Sequence, residues 1–163
     1  MNSAHLHLVL NHLPIMATLF GLIVLCYGWW IDSQDVLRVA LALLFVSGLA
    51  VIPVYETGHN AEEIVEDLSG VSHKEVEQHE ESAETTYYLM VVLGIVALLG
   101  LVQSYRNHSL PGWFLILLGL LGVIALGSLL KTADAGGTIR HPEIEMQQLS
   151  SESNHTNNSL PDN

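Results

Sequence analysis

The stretch HLHLVLNHLPIM at positions 5–16 sets His5, His7 and His12 among leucines, with Asn11 beside the last and Pro14 just beyond. Imidazole ligates haem iron, zinc and copper, and it titrates near neutral pH. His7 and His12 are five residues apart, so on a helix they diverge by about 140° and suit two separate partners better than one small ion. His5 and His12, seven apart, share a face. Pro14 lacks a backbone donor, which frees the carbonyl near Leu10 and predicts a kink that turns His12 inward. The plainer reading of His12 is an interfacial histidine hydrogen-bonded to a neighbouring helix. Cofactor sites in helix bundles draw ligands from facing helices, so further donors are sought in His59, His79 and His141.

The elements that must position these groups are apolar. Half of the 163 residues are hydrophobic, 13% are charged, and the mean hydropathy is positive at +0.39. Soluble domains carry about 25% charge, so the deficit points to lipid. A helix needs about 20 apolar residues to cross a hydrocarbon core. Four stretches meet that length, at about 8–31, 36–55, 86–105 and 113–130. The first lacks the basic flank and small-residue cleavage site of a signal peptide. Tyr27, Trp29, Trp30, Tyr105 and Trp113 form one expected interfacial belt, and Tyr55, Tyr87 and Tyr88 the other. Short turns at 32–35 and 106–112 favour antiparallel neighbours. The fold class read from the sequence is therefore all-α: an integral membrane up-down four-helix bundle, 1–145, with an extramembrane helical loop over 57–85.

With four spans, the N-terminus, the 56–84 loop and the C-terminal segment share a side. Eight of the nine histidines then lie there, and only His108 lies opposite. In the loop, "LSG" at 68–70 predicts a helix stop, and Ser72 with Glu75 a capping box that starts the next helix. No breaker follows before Tyr87, so the third helix is expected to extend above the membrane and carry His79 about two turns beyond that tyrosine. The tail over 146–163 is polar and reads as disordered.

The net charge of -12 concentrates at 56–84, where ten acidic residues accompany one lysine. No basic patch exists for phosphates, which excludes nucleic acid. The single cysteine, Cys26, excludes a disulfide within the chain and Cys-based clusters. A loop so poor in Lys and Arg translocates readily, which places the histidine side on the outer face of the membrane.

Two chemistries fit the histidine inventory. In the first, axial histidines hold b-type haem, and Gly94, Gly100, Gly119, Gly122 and Gly127 make room for the macrocycle. Lys131 and Arg140 then pair with propionates or a quinone head. The commoner roles are close helix packing for the glycines and snorkelling for the two cations. In the second, zinc, copper or iron is bound by histidines drawn from His7, His12, His59, His79 and His141, with Glu56. Glu56-x-x-His59 has the spacing of carboxylate-bridged di-iron bundles, although only one such unit is present.

The pattern His-x4-His-x-Pro-Ile at 7–15, His79 in HEESAETTYYLM, and paired glycines before His141 in TADAGGTIRHPEI resemble the bacterial membrane proteins of the domain-of-unknown-function 2231 type. Leu8 stands where that family usually has Pro, and Leu13 where it has Phe. The resemblance covers about 5–145. It implies four helices, a histidine set at His7, His12, His79 and His141, and respiratory electron transfer through haem b.

The resulting expectation is a membrane-bound b-type haem protein, with one or two haems, passing electrons between quinol and a redox partner at the acidic face. His12 and His79 form the first axial pair, and His7 and His141 the second. The alternative is a non-redox module that binds a transition metal, or a structural subunit or homo-oligomer within a membrane complex. No nucleophile–base arrangement or phosphate loop suggests a hydrolase or transferase.

Overall fold

A computed structural model describes residues 10–66, 73–107 and 109–140, with side chains described except at 59–66, 73–78, 107 and 136–140. These residues are helical almost throughout. The four helices are α1 (His12–Trp30), α2 (Gln34–Glu66), α3 (His73–Asn107) and α4 (Gly112–Arg140). Each is long and apolar enough to cross a membrane. Of the apolar window in each, only 28% to 39% is buried. The remaining surface carries Phe20, Ile23, Val46, Leu99, Leu120 and Val123, all more exposed than buried-core residues by a wide margin. A helix apolar all round has no water-facing side, which is the pattern of a span in lipid.

Local chemistry explains where the helices stop. α1 begins at His12 with Asn11 as its N-cap. Pro14 therefore falls in the first turn, where a missing N–H costs nothing. Leu10 is also helical and Asn11 is a turn residue, so the helical path is interrupted just ahead of the proline; residues before Leu10 lie outside those described. At the other end, the Ser33 amide donates to the Gly28 carbonyl and the Asp32 amide to Trp29. Asp32 has a φ of 51°, so the turn is a Schellman stop with aspartate in the left-handed position. The Leu37 amide bonds to the Ser33 carbonyl and opens α2 three residues after α1 closes. Pro111 opens α4, its carbonyl accepting from the Phe114 amide at 3.0 Å.

α2 and α3 run past the apolar segments. α2 continues through Pro53 to Glu66, and α3 starts at His73. The helical segments expected above the membrane are thus continuous with the spans. The Ser72 cap lies outside the described residues.

Contacts between helices run in opposite directions along each pair. Gly21 meets Leu44, and Gly28 meets Val36 and Leu37. Gly48 meets Gly94, and Arg38 meets Ser104. Gly100 meets Phe114, and Thr86 meets Ser128 and Thr132. Gly122 meets Leu22, which joins α4 to α1. The core between them consists of Leu22, Leu25, Leu37, Leu41, Leu44, Met90, Leu93 and Leu118 with small alanines.

One end is fastened by Arg38. Its Nε donates to Ser104 Oγ at 3.1 Å and its Nη2 to the Ser104 carbonyl at 3.1 Å. That carbonyl lies in the last turn of α3, where intrahelical partners run out. A third arm bonds Asp35 at 2.8 Å, and the guanidinium sits 4.8 Å from the centre of the Tyr105 ring. Arg38 thereby caps α3 from α2.

Candidate functional site: the histidine-bearing end

The opposed contact registers bring the start of α1, the far part of α2, the start of α3 and the far part of α4 to the same end. His12 is the first residue of α1 and is exposed, while the adjacent Pro14 is fully buried. His79 is half-buried on α3, and Glu56 and Lys131 are exposed on α2 and α4. His59 lies within α2 and Arg140 ends α4, but their side chains are not among those described. His7 and His141 lie outside the described residues. Among the described residues, no three His, Cys, Asp or Glu side chains gather closely enough to hold a metal ion.

The register also fixes heights. Leu22 faces Gly122, so ten residues nearer the end His12 is level with Thr132, which is bonded to Thr86. His79 is seven residues beyond Thr86, about 10 Å further out along the axis at 1.5 Å per residue. The two imidazoles are carried at the same end but at different depths.

Tyrosines floor this end. The Tyr55 and Tyr87 rings are 4.8 Å apart across α2 and α3, and Tyr87 and Tyr88 meet edge to face at 5.5 Å. Asn11, beside His12, has a buried side-chain oxygen with no hydrogen-bond partner. A buried acceptor without a donor is costly, so that oxygen is suited to receive an N–H or O–H from a ligand.

Deeper in, the space expected for a macrocycle is filled. A Cβ on Gly94 would stand 3.1 Å from Gly48 Cα, one on Gly100 2.7 Å from the Phe114 ring, and one on Gly122 2.7 Å from Leu22. These glycines serve close helix approach. Gly119 is near Leu25 only at 3.9 Å, and Gly127 faces open space. The interior around the Gly48–Gly94 contact does not fit a haem. A haem that used these histidines would be seated nearer the chain ends than the Thr86–Thr132 layer.

Two polar clusters escaped the sequence reading. Thr18 and Ser47 are fully buried, 2.7 Å apart, and both donate to the Pro14 carbonyl at 2.8 Å. Ser128, Thr86, Thr132 and the Ser82 carbonyl form a second chain between α4 and α3, with contacts of 2.6, 2.9 and 3.2 Å. Beside it is a cleft of about 180 Å³ lined by Glu81, Ser82, Thr85, Ser128 and Lys131. The available signal was the four-residue spacing of Ser82 with Thr86 and of Ser128 with Thr132, which puts each pair on one helix face. Comparison with protein-family models, with curated proteins and with solved structures finds no match to this chain.

Proposed function

We propose that the chain is an integral membrane protein, an up-down four-helix bundle, whose histidine-bearing end holds a b-type haem and serves respiratory electron transfer. The observation that carries this reading is the opposed register of the four helices, which gathers His12, His79 and the α2 segment containing His59 at one end. The apolar outer surface supports the membrane setting, and the resemblance of the opening motif points to haem. Bound there, a b-type haem supplies one-electron chemistry. The chain's own contribution is to present imidazoles from separate helices and to wall off lipid with the Tyr55–Tyr87–Tyr88 stack. Glu56, Glu80, Glu81 and Glu84 lie on the α2 and α3 segments at the same end, and negative charge there would speed encounter with a basic redox partner. A quinol would deliver electrons from the bilayer. This end is assigned to the periplasm of a bacterial inner membrane.

A zinc, copper or iron ion held by histidines is the second reading, favoured by Glu56 and His59 lying one turn apart on the continuous helix α2. A reduced-minus-oxidised visible spectrum of the full chain, with metal analysis, separates the two. A low-spin haem band that disappears in His79→Ala or His12→Ala supports haem. A colourless protein with stoichiometric metal supports the second reading, and a colourless, metal-free protein rejects both.

A further inference from the structure

On its α4 wall the cleft between α3 and α4 has a hydrogen-bond polarity fixed before any ligand arrives, whereas the Ser82 and Thr85 hydroxyls on the α3 wall can donate or accept. Thr132 Oγ1 places its only proton on the Ser82 carbonyl at 3.2 Å. Thr86 Oγ1, 2.9 Å from Thr132, must then donate to it. Ser128 Oγ, 2.6 Å from Thr86, must in turn donate to Thr86, because each hydroxyl has one proton. Ser128 lines the cleft and therefore offers it lone pairs only. The Glu81 carboxylate adds a second acceptor, and the Lys131 ammonium is a donor without acceptor capacity. Among the described residues, neither Glu81 nor Lys131 has an ion-pair partner within the chain. A complementary ligand carries an anion for Lys131 and a cation with N–H groups for Glu81 and Ser128.

The surface next to the cleft is lipid-like. Towards the opposite end of the molecule, the helix face below Glu81 and Thr85 continues as exposed Val92, Ile95 and Leu99. The face below Lys131 continues as exposed Ile124, Leu120 and Leu117. Between Lys131 and Ile124 lies Gly127, where an added Cβ would meet nothing within 4 Å. Helix packing accounts for Gly48, Gly94, Gly100 and Gly122 but not for this outward glycine. Its missing side chain leaves a notch immediately below the cationic rim.

We infer that the cleft binds the head group of a diacyl aminophospholipid, with the phosphate on Lys131, the primary ammonium on Glu81 and Ser128, and the acyl chains along the two apolar stripes. The inference rests on the membrane setting proposed above and is independent of the haem. The apolar runs of α3 and α4 end at about Thr86 and Leu130, so the cleft lined by Glu81, Thr85 and Lys131 falls at their boundary. A phosphocholine head has no N–H for Glu81 and Ser128. A phosphoglycerol head has no cation, and a quinone has neither charge.

The test uses the full chain in detergent micelles, with phosphatidylethanolamine, phosphatidylcholine and phosphatidylglycerol of identical acyl chains, binding being read by native mass spectrometry. The ethanolamine lipid is expected to bind about tenfold tighter than the choline lipid, as loss of charge-assisted hydrogen bonds would give. Glu81→Gln, an exposed position, should bring the two within about twofold, and Lys131→Gln should weaken both alike. Gly127→Leu should weaken every diacyl lipid by filling the notch. Equal binding of the ethanolamine and choline lipids, equal or tighter binding of the glycerol lipid, or displacement by a quinone overturns the inference. A protein that stays monodisperse without detergent overturns the membrane setting itself, whereas a detergent-dependent protein with no head-group preference overturns the lipid site alone.

Discussion

The Pro14 carbonyl receives two hydroxyls, from Thr18 and Ser47, each at 2.8 Å. The hydroxyl oxygens are themselves 2.7 Å apart. Two protons serve these three contacts and a longer one from Thr18 to Met90 Sδ at 4.0 Å, so when both hydroxyls donate to the carbonyl their mutual contact has no proton. Removing one hydroxyl therefore leaves no polar group stranded. Ser47→Ala is expected to cost only about 0.5–1 kcal/mol, typical of a hydrogen bond between membrane helices. Unfolding in mixed micelles measures it, and a loss several times larger would show that the cluster acts as a unit. The sequence expected His12 to turn inward beside Pro14; Pro14 is instead the buried residue of the two and His12 is exposed.

Among the elements, the closest approach is that of α2 and α3. A Cβ added to Gly48 would lie 2.6 Å from Gly94 Cα and 2.7 Å from the Met90 carbonyl. Both are backbone atoms and cannot rotate away. Gly48→Ala should cost about 1–3 kcal/mol, the range for overpacking. Gly127→Ala meets nothing and should stay within about 0.5 kcal/mol of the parent protein. Paired detergent-unfolding curves compare the two, and equal tolerance would mean that the helices do not meet through these glycines. In the sequence all the glycines of the third and fourth apolar runs look alike. Their roles separate only when the partner helix is known.

At the scale of the whole molecule, the contrast is between a core and an outer surface of the same chemistry. Leu41, Leu44 and Leu118 are fully buried, while Leu99, Leu117 and Leu120 are exposed. Water would not tolerate so much apolar surface. The protein is expected to resist extraction by alkaline carbonate and to require detergent; release into the aqueous fraction would refute the membrane reading. Reporter tags fused at the two ends of the chain should be accessible from one side of the membrane, and a tag inserted at Ser109 from the other. Tags at the two ends reporting opposite sides would refute an even number of spans.

The number and placement of the helices were legible in the sequence, because run length, turn residues and proline position are local properties. The short turn at Asp32 and the start at Pro111 needed no knowledge of the rest of the chain. Continuity of the α2 and α3 extensions with their spans was half legible, through the absence of a breaker before Tyr87. The site was less so. In helices apolar on every side, no polar face marks the inside. The sequence reading therefore turned His12 in the wrong direction, and it left undecided which glycines touch backbone and which hydroxyls meet. Those were settled by the pairing of α1 with α2, α2 with α3, and α3 with α4, since a side chain's surroundings in such a molecule depend on its neighbour rather than on its own helix.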